Sequence, residues 1–262
     1  MGSAKLQALS NLEYEWQSMR IPRIYHPTSS LSIGQTVELS AEAANHVGRV
    51  LRMQVDQALE LFCGDGHNYP AVIMQADKRK VVVQIKAQRS NPSESNVKIH
   101  LGQAISRGDR MDFVLQKSVE LGVTEITPLF TERCGVKLSG ERLLKKTEQW
   151  QKIVISACEQ SGRSHVPVVH PALSLEHWLQ KLPQALRLTL DPGAATPLAQ
   201  QQVTAEQIQL VIGPEGGFSE PEVTLTTTYN FHPIRLGPRV LRTETAALAA
   251  LTVLQYQFGD LS

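Results

Sequence analysis

Ile212-Gly-Pro-Glu-Gly-Gly-Phe-Ser219 and Leu236-Gly-Pro-Arg-Val-Leu-Arg-Thr-Glu-Thr-Ala246 decide how this chain is read. Each follows a run with the look of a buried strand, Ile208-Gln-Leu-Val-Ile212 and Pro233-Ile-Arg-Leu236, and each leads into a helical pattern. Two strand–loop–helix units so close together put two backbone-rich loops at one edge of a sheet, where a ligand can approach main-chain groups closely. The alternation extends outward from there. Strands are expected at Val97-Lys-Ile-His-Leu101, at residues 123–130 and at Leu186-Arg-Leu-Thr-Leu190, and helices over residues 109–121, 140–161 and 243–258. Gly122 and Gly162 stand where left-handed C-caps belong. Ser219-Glu-Pro-Glu222 has the spacing of a capping box. Thr243 is placed to cap the last helix, with Ala246 at its third position. Strands alternating with helices in this way argue for an α/β domain on a mainly parallel, covered sheet.

The first third of the chain has a different rhythm. Gln35-Thr-Val-Glu-Leu39 and Ala58-Leu-Glu-Leu-Phe62 alternate, and Val81-Val-Val-Gln-Ile85 is β-branched. Turn signals separate these runs, and one helical piece, residues 41–52 with Ser40 as N-cap, interrupts them. Short strands at this spacing suggest a small β-barrel. The polar stretch Arg89-Ser-Asn-Pro-Ser-Glu-Ser-Asn96 then reads as a connection. The expected organisation is a leader over residues 1–18, a barrel over 19–90, a linker over 91–96 and an α/β domain over 97–262.

Composition excludes little but does so clearly. At 262 residues, with 42% hydrophobic and 19% charged residues, the chain suits ordinary globular domains. Residues 1–18 lack the basic start and apolar centre of a signal peptide, so a cytoplasmic location is the default. Cys63, Cys134 and Cys158 are far apart and form no CxxC pair, which suggests neither a disulfide framework nor a metal site. Net charge is +1; residues 19–90 carry nine Lys/Arg against six Asp/Glu and residues 91–262 carry sixteen against seventeen. That small basic excess at the front is a weak pointer to a polyanion.

The glycine loops narrow the ligand. Gly213-Pro-Glu-Gly-Gly217 is neither a GxGxxG fingerprint nor a GxxxxGK[ST] loop, offers no lysine to a phosphate, and carries Glu215, which repels one. A ligand with a neutral or cationic part fits better. In the second loop Arg239 and Arg242 flank Val240-Leu241, and Glu244 lies beside the small-residue run Ala246-Ala-Leu-Ala-Ala250. On the helix over residues 109–121, Arg110 and Lys117 share a face; Lys117 is also spaced to pair with Glu120, so that face is either an anion-binding surface or an ion pair. Glu159-Gln-Ser-Gly-Arg163 ends a helix with a polar turn.

Taken with Arg20-Ile-Pro-Arg-Ile-Tyr25, His46-Val-Gly-Arg-Val-Leu-Arg52 and Lys117-Ser-Val-Glu-Leu-Gly-Val123, these segments resemble the bacterial 16S ribosomal RNA uridine-N3 methyltransferase family of the SPOUT superfamily, in order from Met19 to about Phe258. The resemblance implies a PUA-like RNA-binding barrel followed by a SPOUT-type α/β domain with a trefoil knot. It also implies S-adenosylmethionine as methyl donor, a homodimer, and 16S ribosomal RNA of the small subunit as partner, with no metal and no membrane. On this reading the donor meets Leu190, Ile212, Gly213, Glu215, Gly216, Gly217, Leu236, Gly237, Val240, Leu241 and Arg242. Arg242 is the expected stabiliser of developing charge, and Glu215 or Glu244 the expected proton acceptor. RNA phosphates are expected to meet Arg23, Arg49, Arg52, Arg110 and Lys117. A non-catalytic RNA-binding or ribosome-assembly factor, or an enzyme of the same scaffold acting on another RNA site, are the alternatives.

Overall fold

The computed structural model describes residues 21–77, 80–200 and 206–261; the expected leader over residues 1–18 lies outside them. The chain divides into two compact units, Met1–Pro92 and Ser93–Ser262.

In the first unit, β1 (Arg23–Tyr25), β2 (Thr36–Glu38), β3 (Ala58–Phe62), β4 (His67–Ala76), β5 (Val81–Ile85) and β6 (Arg89–Ser90) form one sheet in the order β1-β3-β4-β5-β2, with β6 beside β4. β1 runs parallel to β3 and the other pairs are antiparallel. Alternate residues such as Leu59, Leu61, Ile73, Val81, Val83 and Ile85 close a core with Val47. β4 has no counterpart among the expected strands, because Pro70 and a register shift between Ile73 and Gln75 spoil its alternation. The helix expected over residues 41–52 is shorter. Ser40 accepts from the Ala43 N–H at 3.2 Å and starts α1 (Ala41–Asn45), which loosens into a π-type turn over His46–Val50.

The second unit contains β7 (Lys98–Ala104), α2 (Asp109–Glu120), β8 (Glu125–Phe130), α3 (Gly140–Ser161), β9 (Val168–Val169), β10 (Leu173–Ser174), α4 (Leu175–Lys181), β11 (Leu186–Leu190), β12 (Gln207–Ile212), α5 (Glu220–Thr228), β13 (His232–Ile234) and α6 (Thr243–Phe258). Its sheet is parallel throughout, in the order β10-β8-β7-β12-β11-β13 with β9 beside β8. The two faces follow from strand alternation. Val211 joins Leu175, Trp178, Leu179 and Phe231 under α4 and α5; its neighbours Leu210 and Ile212 therefore face the opposite side, where α6 packs on β12. Along β7 the same rule puts Gly102 beneath α4, where an added Cβ would lie 2.6 Å from the Trp178 ring, so only glycine fits.

The helix signals operate as the sequence chemistry requires. Gly122 takes φ 79° after α2 and Gly162 takes φ 86° after α3. Past Gly162 the chain turns inward, and Arg163, 4% exposed, enters the core of the unit. Among the described residues no helix is long and apolar enough to cross a membrane.

Candidate active site

β11, β12 and β13 are neighbours in the sheet and run the same way, so their carboxyl ends deliver three loops to one place. This is where open parallel sheets bind ligands. The loops enclose a cavity of about 340 Å³. Leu190, Asp191 and Pro192 reach it from β11; Ile212, Gly213, Pro214, Glu215, Gly217 and Phe218 from β12; Leu236, Gly237, Arg239, Val240 and Leu241 from β13. Val223 of α5 and Thr243 and Ala246 of α6 complete the wall.

Local chemistry shapes each loop. The Gly217 N–H donates to the Pro214 carbonyl at 2.9 Å, a tight turn that leaves Gly217 at φ 69°. The capping box at Ser219 then starts α5, with the Glu222 N–H bonded to Ser219 Oγ and the Ser219 N–H to the Glu222 carboxylate at 2.9 Å. Phe218 folds back over Gly213, where a Cβ would come within 3.2 Å of the ring. At the end of β11, Asp191 Oδ1 accepts from the Gly193 N–H at 2.9 Å, closing an Asx turn beside the cavity. Gly237 takes φ 66° in the third loop.

Two of these loops are joined by a side chain. Thr243 was expected to cap α6, but the N-cap is Arg242 and Thr243 is the first helical residue. Its hydroxyl donates instead to the Gly213 carbonyl at 2.6 Å and accepts from Nε2 of the fully buried Gln103 at 3.0 Å. The first turn of α6 is thereby tied to the loop after β12 and to β7.

The charged groups lie at the rim. Glu215 accepts from the Arg107 N–H at 3.3 Å and from Arg110 Nη1 at 3.0 Å, and Arg110 Nε lies 3.9 Å from Glu244. Burial works to raise the Glu215 pKa, but its own backbone N–H, the Arg107 N–H and Arg110 outweigh it and hold the carboxyl below its ordinary range. A group whose folded pKa is depressed contributes stability at pH above the ordinary carboxylate value, near 4.3, and loses it as pH falls through the lower folded value. Glu215→Gln is accordingly expected to flatten the acid limb of a stability–pH curve and to leave its alkaline limb unchanged; an unchanged acid limb counts against the ion pair.

Gly216, Arg242 and Glu244 were expected in the site but do not stand on the cavity wall. Gly216 turns toward Arg133, whose Nη1 donates to its carbonyl at 3.0 Å. Arg242 is exposed at the head of α6, and the Glu244 side chain is 16% exposed beneath Arg110. Asp191, Pro192, Pro214, Phe218, Val223, Arg239, Thr243 and Ala246 line the cavity without having been expected there. Asp191-Pro-Gly after a strand was a legible turn signal; Phe218, Val223 and Ala246 carried none, since apolar residues at those positions read as core.

The residues expected to meet RNA separate into two kinds. Arg49, on the turn after α1, and Arg52, two residues beyond that turn, are exposed. Arg23 lies over the Phe62 ring at 4.8 Å and pairs with Glu60 at 2.8 Å, its side chain only 12% exposed. Lys117 pairs with Glu120 at 2.7 Å, the ion pair that its spacing allowed.

Both units are similar to known proteins. Residues 93–255 match the family described as RNA methyltransferase domain, and residues 39–86 match the RNA methyltransferase PUA domain. Ribosomal RNA small subunit methyltransferase E of Buchnera aphidicola subsp. Schizaphis graminum is 38% identical over 244 residues, covering 93% of this chain and 99% of that one. A Legionella pneumophila protein solved in complex with S-adenosylmethionine superposes with a TM-score of 0.90 at 47% identity, over 93% of this chain and 100% of that one. Ribosomal RNA small subunit methyltransferase E of Neisseria gonorrhoeae, solved bound to S-adenosylmethionine, gives 0.88 at 40% identity over the same shares. With its methyltransferase and PUA units matched in order and its loops enclosing one cavity at the carboxyl ends of a parallel sheet, the chain belongs to the ribosomal RNA small subunit methyltransferase E family.

Proposed function

We propose that this chain transfers a methyl group from S-adenosylmethionine to N3 of an unpaired uridine in 16S ribosomal RNA. The observation that carries the reading is the cavity where β11, β12 and β13 end, walled by Leu190, Ile212, Leu236, Leu241 and Ala246, edged by Asp191 and Glu215, and with Arg239 as its one basic lining residue. Those residues suit a donor with an apolar adenine, a ribose and a cationic centre but no phosphate. When bound, S-adenosylmethionine supplies an electrophilic methyl group on sulfur. We assign the backbone groups of Gly213, Gly217, Gly237 and Leu241 to hold it, with the Asp191 and Glu215 carboxylates favouring its positive charge.

The target base requires more of the protein. N3 lies on the Watson–Crick edge and carries an imide proton, so the uridine must be unpaired and the proton must leave. Arg242, which is exposed and off the donor wall, is assigned to face RNA and to stabilise charge developing on the base carbonyls. The Arg107 N–H and Arg110 hold Glu215 ionised; Glu244, whose buried Oε2 has no hydrogen-bond partner among the described residues, is assigned the proton. Arg242→Ala and Glu244→Gln should each lower turnover by about 10²-fold or more while changing donor affinity far less. Loss of donor affinity equal to the loss of turnover would return either residue to a binding role.

Arg49 and Arg52 supply phosphate contacts, and each neutralised phosphate on a single strand contributes about −0.7 to the slope of log affinity against log salt. The double variant Arg49→Ala/Arg52→Ala is expected to weaken RNA binding and flatten that slope by about 1.4; an unchanged slope removes the first unit from the RNA interface. The enzyme acts in the cytoplasm, where small subunits assemble, and two chains associate as a homodimer, which sedimentation of the purified protein tests. Mass mapping of nucleosides from 16S ribosomal RNA, with and without the protein, decides the product. N3-methyluridine is expected, and any other methylated nucleoside overturns the assignment.

A further inference from the structure

The opposite end of the same sheet carries chemistry that the donor cavity does not use. His100 near the start of β7, Glu125 opening β8 and His170 just after β9 bring one ligand atom each to within 4.8 Å of one another. The backbones beneath them are fixed. His100 and Glu125 are register partners of adjacent parallel strands, and the His170 N–H donates to the Ile126 carbonyl at 2.8 Å. The side chains converge as well: His170 Nε2 lies 2.7 Å from Glu125 Oε2 and His100 Nδ1 lies 3.9 Å from the same oxygen.

We infer that His100, Glu125 and His170 form a binding site for a borderline divalent metal ion of the zinc class, with the remaining coordination position open to the adjoining cavity. Two imidazoles and one carboxylate are a donor set for zinc and its first-row neighbours and a poor one for magnesium or calcium, which take oxygen ligands. Metal–ligand bonds of about 2.0–2.2 Å require ligand atoms a little over 3 Å apart. His170 Nε2 already lies 2.7 Å from Glu125 Oε2, and the 3.9 Å between His100 Nδ1 and that oxygen has to shorten for an ion to be shared. His100 Nε2 is 2.8 Å from Thr127 Oγ1, and Thr127 is 1% exposed. With Nε2–H donating to Thr127, the lone pair of Nδ1 points to the ion, the support that ligating histidines ordinarily receive.

The cavity beside the cluster, about 580 Å³, is bounded by Lys98, Thr124, Trp178 and Lys181 as well as the three ligands. Trp178 is 2% exposed, and no described residue accepts from its Nε1–H. That indole N–H is sealed from solvent; a water or small anion in the open coordination position would sit in the cavity that Lys98 and Lys181 also border. Because the ligands come from near the start of β7, from the start of β8 and from the residue that follows β9, a bound ion also clamps these three strands at the end remote from the donor loops.

Calorimetric titration of the untagged, chelator-treated chain with zinc is the test, backed by visible absorption with cobalt. About one ion per chain is expected at micromolar affinity or better, cobalt should give the intense bands of a low-coordinate site, and magnesium should not compete. Thr127→Val should weaken zinc binding by about 10–100-fold. Glu125→Gln, at an exposed position, should weaken it by at least about tenfold while leaving metal-free thermal unfolding and donor affinity unchanged. The absence of saturable zinc uptake overturns the inference. So does uptake of unchanged affinity in Glu125→Gln and in His100→Ala/His170→Ala, which would place the ion on the thiols or on other histidines.

Discussion

Replacing Arg163 by Ala is expected to destabilise the second unit by about 3–5 kcal/mol, the range seen when one partner of a buried ion pair is removed. The guanidinium donates Nε and Nη2 to the two oxygens of Glu94 at 2.9 and 2.7 Å, and Nη1 to the carbonyls of Val119 and Val123 at 2.9 and 2.8 Å. Val119 lies in the last turn of α2 and Val123 three residues beyond its end, so the cation also answers the negative end of that helix dipole. Truncation leaves the Glu94 carboxylate, whose side chain is 19% exposed, without the cation that compensates its desolvation, and empties a close-packed site. Tryptophan fluorescence is the natural reporter, because Trp150 and Trp178 both sit in the core of this unit. With about 2–4 °C of Tm for each kcal/mol in a unit of this size, the midpoint should fall by roughly 6–20 °C. A loss under about 1 kcal/mol would mean that the pair does little for stability. Glu94→Gln, which keeps the shape and one acceptor, should cost less than Arg163→Ala.

That role was not legible in the sequence. Glu159-Gln-Ser-Gly-Arg163 read as a polar helix end, and Gly162 does close α3; but nothing local says that the next residue turns into the core, because Glu94 and Val119 reach it through tertiary structure. The legible features were those whose chemistry is local. Ser40, Ser219, Gly122 and Gly162 begin or end helices where their residue types require, and α3, α6, β3, β5 and β11 have the expected bounds. β4 was lost to Pro70, and β9, β10 and α4 to their shortness, which leaves too few residues for a period to show. Strand order was equally hidden: β7 pairs with β12 across more than a hundred residues, and no alternation pattern encodes a partner. A knot has no local signature at all, so that expectation came from family resemblance alone.

The same distinction explains the donor cavity. The two glycine loops announced themselves by composition, whereas of the third loop only Leu190 at its head was expected, and Asp191 and Pro192 joined the site when β11 was placed between β12 and β13. Gly216 was singled out as one glycine among several, yet its α-carbon faces Arg133, so its smallness accommodates a neighbouring side chain outside the cavity. Lys117 had two readings from spacing, and its ammonium pairs with Glu120 at 2.7 Å.

Thr243→Val should lower affinity for S-adenosylmethionine by roughly 5–150-fold, the equivalent of 1–3 kcal/mol for buried polar groups left unpaired. Valine keeps the shape and the β-branch, so packing at the first turn of α6 is preserved while both hydrogen bonds vanish. The Gly213 carbonyl loses its 2.6 Å donor, and Gln103 Nε2 loses its 3.0 Å acceptor, retaining the Ala104 carbonyl at 3.1 Å. Gln103 is fully buried and its Oε1 has no partner among the described residues, so a second loss at this amide cannot be made good by solvent without opening the structure. The effect should be concentrated on binding, because the Thr243 hydroxyl sets the separation of the loops on either side of the cavity, whereas Arg242 stands outside its wall. Thr243→Ser, which keeps the hydroxyl, should recover most of the affinity. If Thr243→Val binds the donor as tightly as the unmodified chain, the loops hold their spacing without the bridge, and the cavity owes its shape to the sheet and to α5 instead.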